Sequence, residues 1–392
     1  MKKTTAIVAL MAVFGLAICF IILGSISSEL MVALGINEAQ LGTLVMVAFL
    51  TMCIVQLFIG PMVDKYGYKP MAIFGYITTS LSMLLLATAS SFTGALIACI
   101  VMGFGAMACN TVGNTLIPVV LFEGKDPARA SNFGNGFFGL GYVTAPLLIV
   151  LIIETMGLSY KIALIVLFAI FLIFLIVSLI AKFPEVQVGF TFAKASQVAI
   201  KPAVLIAALA LFCYMALEIS MGTWVKSLMQ ELYAASGTID PAAKAGLVLS
   251  LFGVALMIGR FLVSGVKNLT AMGSKLVTYS SLLALAAILL MIIAKTPGLA
   301  ILAVLLAGLA FAPIFPTLVG VTFAKFDPGL YGSILGVMFS IGLLGGTLIP
   351  KFVGNLSVGS TVQQSLLIPA IMAAILLVVS LFVGRVGKSK ES

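Results

Sequence analysis

The chain of 392 residues is 62% hydrophobic and only 8% charged, and its mean hydropathy is +1.28. A water-soluble domain cannot bury so large an apolar fraction, so this composition excludes the soluble classes and indicates an integral membrane protein. The formal net charge of +9 does not indicate a nucleic-acid partner, because the basic residues are scattered singly between apolar runs.

Twelve apolar runs, separated by short polar or Gly/Pro segments, predict an all-α membrane protein, since about 20 helical residues cross the hydrocarbon core. The run after Lys2 and Lys3 is too long for a cleaved signal peptide, so we interpret it as the first helix. The five cysteines fall inside apolar runs without metal-site spacing, and we expect neither a metal nor a cofactor. The predicted spans are 5–34, 41–63, 70–89, 93–121, 131–153, 160–182, 202–230, 244–266, 273–294, 297–324, 330–354 and 362–386.

A polar patch, residues 24–29, lies towards the outer end of the first predicted span and ends in Glu29. An ionisable group inside a membrane helix is costly and usually faces protein or water. Glu29 is therefore a candidate for proton coupling, although a solvated or helix-capping role is an equally good interpretation.

The loop between the second and third spans reads GPMVDKYGYKP, and five of its residues form a candidate conformational latch. A carboxylate and two cations at the membrane surface can tie neighbouring helix ends together and release them when those ends separate. The glycines allow the chain to turn tightly. The five residues are Gly60, Asp64, Lys65, Gly67 and Lys69.

This loop resembles the signature of the major facilitator superfamily, in which glycine is followed by aspartate, a basic residue, a second glycine and further basic residues. Tyr68 departs from the pattern, because it occupies a position that is usually basic. The equivalent loop of the second half, near residues 265–275, lacks the aspartate, so we expect a weaker latch there. The resemblance implies two six-helix bundles around a central cavity that opens alternately to each side of the membrane.

Amide side chains mark the fourth and fifth spans. Asn110 and Asn114 are four residues apart and therefore share one helix face, and Asn135 lies near the start of the fifth span. Amides on a cavity wall would bind a polar neutral or hydroxyl-rich solute. A purely structural role, in which these amides bridge helices, stays open.

A polar segment between the sixth and seventh spans, residues 183–201, is the candidate linker. It divides the chain into an N-terminal six-helix bundle, residues 1–182, and a C-terminal bundle with a short tail, residues 202–392. Because Lys and Arg accumulate on the cytoplasmic side of short loops, we expect both termini in the cytoplasm. We expect the protein to be a monomer in the cytoplasmic membrane. All but five of the 21 basic residues, Arg260, Lys388 and Lys390 included, then lie on the cytoplasmic face; the five are Lys161, Lys226, Lys244, Lys295 and Lys351.

The seventh span carries the strongest candidate for a functional carboxylate. Glu218 lies far from both ends of this apolar run, and Tyr214 precedes it by one helical turn on the same face. We expect Glu218 to bind a proton or the solute, although a protonated side chain that only bridges helices is the alternative. Trp224, the single tryptophan, either stacks against a ligand or anchors the helix at the membrane interface.

Two further features belong to the eighth and tenth spans. Arg260 lies near the inner end of the eighth span, where it either pairs with an acidic group or snorkels to the interface; we favour a structural role. Pro313 and Pro316 interrupt the hydrogen-bond ladder of the tenth span and predict a kink there.

The segments YMALEISMGTW, GLAFAPIFPT and CNTVGNTLIP resemble the fucose and glucose type of proton-coupled sugar symporter. In that group, acidic residues in the first and fourth spans assist proton coupling and sugar binding. Here Asn110 stands in the fourth-span region instead of a carboxylate, which shifts proton coupling to Glu218 or Glu29. The chain contains no histidine, so any coupling must use carboxylates.

The function predicted from these features is secondary active transport of a small, sugar-like solute, with protons as the coupling ion. One alternative is a proton-coupled exporter of drugs or amphiphiles, whose greasy cavity the 27 phenylalanines and 19 methionines would suit. The absence of an adjacent Gly-Pro pair in the fifth span counts against export. A second alternative is a non-transporting membrane sensor, although no added soluble domain fits the chain. Metal clusters, a nucleophile elbow and a phosphate-binding loop are all missing from the sequence, so we do not expect an enzyme.

Overall fold

The computed structural model describes residues 2–185, 191–237, 241–357 and 359–385, and every regular element in these ranges is a helix. Lys388, Lys390 and residues 186–190 of the predicted linker lie outside them. Twelve stretches of the described residues are long and apolar enough to cross a membrane, which confirms the predicted all-α fold class.

The helices of the first half have bounds close to the predicted spans. They are α1 (Lys2–Ser25), α2 (Ser27–Leu34), α3 (Glu38–Tyr66), α4 (Tyr68–Thr88), α5 (Phe92–Val120), α6 (Pro127–Val150) and α7 (Tyr160–Ile180). A π-helical turn, Leu151–Thr155, extends α6.

The second half begins with a short helix in the linker region and continues through the remaining spans. Its helices are α8 (Phe192–Ala199), α9 (Pro202–Ala235), α10 (Pro241–Ser264), α11 (Leu269–Ile293), α12 (Pro297–Phe311), α13 (Ile314–Phe323), α14 (Tyr331–Ser357), α15 (Val362–Ser365) and α16 (Leu367–Val383). The tenth span is divided between α12 and α13, where the two prolines predict a kink.

The first predicted span, 5–34, is not one uninterrupted helix. Ile26 has φ −114° and ψ 17°, and it separates α1 from α2. The Ser25 hydroxyl donates to the Ile21 carbonyl at 2.9 Å, a local bond that often bends helices. Backbone bonds from Ile26 N to Ile22 O and from Leu30 N to Ile26 O continue across the junction, so the chain bends here without a break.

Contacts divide the chain into two compact units. Unit 1 contains Met1–Gly124, Phe137–Val198 and Pro328–Gly336, and unit 2 contains Lys125–Gly136, Ala199–Asp327 and Val337–Ser392. Pro328–Gly336 thus belongs to unit 1 although it lies in the second half of the sequence, and Lys125–Gly136 belongs to unit 2 although it lies in the first half. The division into bundles 1–182 and 202–392, joined by residues 183–201, stays a prediction.

Small residues allow close helix packing inside each unit. In unit 1, a Cβ on Gly105 of α5 would lie 2.5 Å from the Thr79 backbone nitrogen of α4. In unit 2, a Cβ on Gly259 of α10 would lie 2.5 Å from the Ala312 Cβ. Because lipid provides no hydrophobic force between helices, such close backbone approaches supply the packing energy.

Candidate transport site

A buried ion pair lies in the seventh and eighth spans of unit 2. Arg260 of α10 is only 1% exposed, and its Nη2 lies 3.1 Å from Glu218 Oε1 of α9. The same nitrogen donates to the Tyr214 hydroxyl at 3.1 Å, so the two residues predicted to share a face of α9 meet at one guanidinium. The Glu218 side chain remains 19% exposed. Of the two predicted roles of Arg260, the structure therefore shows pairing with an acidic group. Because Arg260 lies within a helix and not in a loop, it does not count as evidence for the orientation of the chain in the membrane.

The guanidinium of Arg260 also binds two backbone carbonyls. Its Nε donates to Ala312 O at 3.3 Å, and its Nη1 donates to Asn135 O at 3.3 Å. Asn135 therefore joins this cluster through its backbone, while its side-chain amide donates to Ser131 O at 3.0 Å. A buried cation is tolerated only when its donors are satisfied, and four acceptors surround this one.

Ala312 lies at the break between α12 and α13. Pro316, four residues further on, has no N–H to donate to the Ala312 carbonyl, so the Arg260 bond satisfies an acceptor that the proline leaves open. The predicted kink of the tenth span is thereby part of the ion-pair cluster.

Aromatic rings enclose one side of the pair. The Tyr214 ring stacks on Phe315 with centroids 6.3 Å apart and meets Phe311 edge-on at 6.3 Å. Phe315 in turn contacts Phe339 at 5.9 Å. Such surroundings exclude water and strengthen the interaction between the two charges.

The fourth-span amides form a network in unit 1. Asn114 Nδ2 donates to Asn110 Oδ1 at 2.9 Å, and Asn110 Nδ2 donates to Gln56 Oε1 of α3 at 3.1 Å. Gln56 Nε2 donates to the Thr111 hydroxyl at 3.0 Å. These amides bridge α3 and α5, and contact with a solute stays a prediction. Sequence reasoning missed Gln56, although an amide in the middle of the apolar second span was a usable signal.

The candidate latch binds the start of α14 within unit 1. Asp64 accepts hydrogen bonds from Gly332 N at 2.8 Å, Ser333 N at 2.7 Å and the Ser333 hydroxyl at 2.6 Å. A carboxylate at a helix N-terminus is stabilised by the exposed N–H groups and the helix dipole. Any side chain at Gly60 would overlap the Gly332 carbonyl, so this glycine is needed for the close approach.

The other latch residues lie at the neighbouring ends of α3, α4 and α7. Gly67 has φ +87°, a conformation that favours glycine, and it joins α3 to α4. The Lys65 ammonium lies 4.9 Å from the centroid of the Tyr66 ring. Lys69 Nζ donates to Leu179 O at 2.8 Å, which satisfies a carbonyl at the C-terminal end of α7.

A matching arrangement in unit 2 was missed by sequence reasoning. Asp126, just before α6, accepts from Leu269 N at 2.8 Å, Thr270 N at 2.9 Å and the Thr270 hydroxyl at 2.6 Å, all at the start of α11. The Thr270 hydroxyl in return accepts from Ala128 N at 3.0 Å. The loop near residues 265–275 lacks an aspartate of its own, and the residue just before the fifth span supplies the carboxylate instead.

The hydrogen bonds at Asp126 outweigh its burial. Burial raises the pKa of this carboxyl, but the bonds from the Thr270 hydroxyl and from the Thr270, Leu269 and Arg129 backbone lower it, and the net pKa lies below the usual 3.8. Asp126 is therefore ionised at neutral pH.

A family model described as the Major Facilitator Superfamily matches residues 5–350. The chain belongs to this superfamily. The resemblance seen in the second-to-third-span loop is confirmed, and the superfamily consists of transporters rather than enzymes. No curated protein matches the sequence itself.

Solved structures of superfamily members share the fold. FucP, the fucose:proton symporter of E. coli, in its outward conformation covers 97% of this chain and 99% of its own, with 19% identity and a TM-score of 0.79. The proton:xylose symporter XylE, bound to 6-bromo-6-deoxy-D-glucose, covers 98% and 95%, with 14% identity and a TM-score of 0.77. The human organic anion transporter TETRAN covers 97% and 99%, with 16% identity and a TM-score of 0.74. These similarities show the major facilitator fold alone.

Two predicted site residues of this superfamily member lie elsewhere in the described chain. Glu29 lines an open cavity of about 420 Å³ in unit 1, together with Ser28 and Tyr160. Trp224 belongs to unit 2, where its indole N–H donates to Pro350 O at 3.0 Å and its ring packs against Gly354. Their predicted roles in proton coupling and solute binding stay predictions.

Proposed function

We propose that the chain carries a small, sugar-like solute across the cytoplasmic membrane by proton-coupled symport, with both termini in the cytoplasm. The observation that supports this most is the Glu218–Arg260 pair inside the membrane-spanning part of unit 2. Glu218 is the proton carrier in this proposal, because its side chain is partly exposed while its arginine partner is not.

Protonation of Glu218 has a structural consequence. Ionised Glu218 neutralises Arg260, and removing one partner of a buried pair typically costs about 3–5 kcal/mol, since the other charge is left uncompensated. A proton on Glu218 therefore favours a rearrangement that gives Arg260 a new partner or access to water. This energy is large enough to link proton binding to a change between two conformations.

The solute site in this proposal includes Tyr214 and Glu218, with Asn110, Asn114 and Asn135 as further hydrogen-bonding residues and Trp224 as a ring for stacking. The side-chain amides of Asn110 and Asn114 bond to each other and to α3, so contact with a solute requires that network to open. Glu29 is the second candidate for proton coupling.

The candidate latch has a role in the change between the two transport conformations. We propose that the bonds from Asp64 to the start of α14, supported by Gly60, Lys65, Gly67 and Lys69, form in one conformation and break in the other. Their charge-assisted bonds are strong enough, at about 1.5–3 kcal/mol each, to bias that equilibrium.

Export of an amphiphile is the second candidate, and the aromatic wall beside the pair favours it. Tyr214, Phe311, Phe315 and Phe339 form a continuous buried aromatic cluster, which would bind a greasy solute in a conformation that exposes these rings. A non-transporting membrane sensor is the third candidate function.

Purified protein in proteoliposomes with an imposed pH gradient separates these functions. Uptake of labelled fucose, glucose and xylose along an inward proton gradient is expected, whereas export predicts dye or organic-anion movement against it. Glu218→Gln should abolish proton-driven accumulation while solute exchange survives. Glu231→Gln is the matched control, because this carboxylate lies on the same helix and bonds only to the start of α15 in the contacts seen here. Unchanged accumulation in Glu218→Gln would remove this residue from the mechanism.

A further inference from the structure

We propose that Arg260 is a positioning residue that transmits the charge state of Glu218 to the proline break in the tenth span. This inference rests on the proposed function, since it assumes that Glu218 gains and loses a proton. It adds a moving part to that function: the junction between α12 and α13.

The first observation is that one guanidinium joins the carboxylate to the break. Arg260 Nη2 binds Glu218 Oε1 and Nε binds Ala312 O, so both contacts depend on one rigid planar group. A displacement of Arg260 that follows loss of the Glu218 charge must also lengthen the bond to Ala312.

The second observation is that the Ala312 carbonyl has no alternative donor in the regular helix pattern. The residue that would donate to it is Pro316, which has no N–H. When Arg260 moves away, this buried carbonyl loses its satisfying donor, and the junction must bend or admit water to compensate.

The third observation is that the helices are in direct contact at the break. Gly259, the neighbour of Arg260, lies so close to Ala312 that a Cβ at this glycine would be 2.5 Å from the Ala312 Cβ. The Tyr214 ring, which shares Nη2 with Glu218, stacks on Phe315 just beyond the break. Movement in the cluster therefore reaches α13 by packing as well as by hydrogen bonding.

The prolines provide a matched pair of variants. Pro316→Ala restores an N–H that can bond to Ala312 O, so the arginine is no longer needed there. Pro313→Ala restores an N–H for a different carbonyl, that of Leu309, and leaves the Ala312 carbonyl to Arg260. Pro316→Ala is expected to lower the proton-driven accumulation ratio by about tenfold while exchange persists, which is the size of effect that one charge-assisted hydrogen bond supports. Pro313→Ala should stay within about twofold of the wild type.

Arg260→Lys and Pro316→Ala together form a double-mutant cycle. In Arg260→Lys an ammonium keeps the charge beside Glu218 but cannot bond to all four acceptors in the same geometry. Its loss of accumulation should not add to that of Pro316→Ala, since both changes remove the same link. Equal behaviour of the two proline variants, or effects of Arg260→Lys and Pro316→Ala that multiply, would overturn the inference. If Arg260→Lys does not fold, the comparison of Pro316→Ala with Pro313→Ala still decides.

Hydrogen–deuterium exchange gives a readout that does not require transport. Glu218→Gln, which mimics the protonated acid, is expected to speed amide exchange across residues 312–317 about tenfold, and the same substitution in a Pro316→Ala background should have little further effect. Unchanged exchange in Glu218→Gln would show that the carboxylate does not control the break. If Glu218→Gln speeds amide exchange but leaves proton-driven accumulation unchanged, the proposed function fails while the link through Arg260 stands.

Discussion

Replacing Asp126 with asparagine tests how strongly the start of α6 holds the start of α11. The substitution keeps one oxygen, which accepts from Thr270, but it replaces the other with an amide nitrogen that faces the Leu269 N–H. Leaving this buried N–H without an acceptor costs about 1–3 kcal/mol. Losing the negative charge at the N-terminus of α11 costs roughly 0.3–2 kcal/mol more. We expect Asp126→Asn to lower the free energy of unfolding by about 1–5 kcal/mol in total.

Thr270→Val is the matched control. It removes the hydroxyl that bonds to Asp126 and Ala128 but keeps both backbone N–H donors and the carboxylate. Its expected cost is smaller, about 1–2 kcal/mol, because the charge at the helix start remains. Thermal unfolding in detergent can be followed by the fluorescence of Trp224, the single tryptophan, which belongs to the same unit.

The pH dependence of this difference has a defined sign. The pKa of Asp126 is lowered below 3.8 in the folded chain, because hydrogen bonds to Thr270 and Leu269 outweigh the effect of burial. A carboxyl with a lowered pKa contributes its full stabilisation above the unfolded value and loses it as the pH falls through the folded value. The gap in Tm between wild type and Asp126→Asn should be constant from about pH 5 upward and shrink below about pH 4. Equal stability of wild type and Asp126→Asn at neutral pH would show that the Asp126 carboxylate does not stabilise the start of α11, and so would a gap in Tm that does not shrink in acid.

Two packing predictions concern other helices. Gly105→Ala should lower stability by about 1–3 kcal/mol, because the new Cβ would lie 2.5 Å from Thr79 N, whereas Gly24→Ala, with no heavy atom within 4 Å, should be neutral or stabilising. Trp224→Phe should lower stability by about 1 kcal/mol, since it removes the donor to Pro350 O. Thermal unfolding of these variants can be followed with a thiol-reactive dye, because four of the five cysteines are buried and react on unfolding. An unchanged Tm in Gly105→Ala or Trp224→Phe would contradict the corresponding contact.

Local rules accounted for much of the candidate site. Tyr214 and Glu218 meet the same guanidinium because residues four apart share a helix face. Pro313 and Pro316 interrupt the tenth span because proline lacks the N–H that the helix ladder requires. The loop sequence indicates Asp64 as a latch residue, but it does not indicate the partner of Asp64 at the start of α14.

The class, the twelve apolar helices and the family follow from the amino-acid sequence, because bare peptide groups cannot remain in hydrocarbon and long apolar runs must therefore cross it as helices. Which polar groups meet depends on how these helices pack. Arg260 binds Ala312, and Asp126 binds Thr270, across separations of 52 and 144 residues. Helical periodicity states which face a residue occupies, but it carries no information on which neighbouring helix that face will contact or at what height.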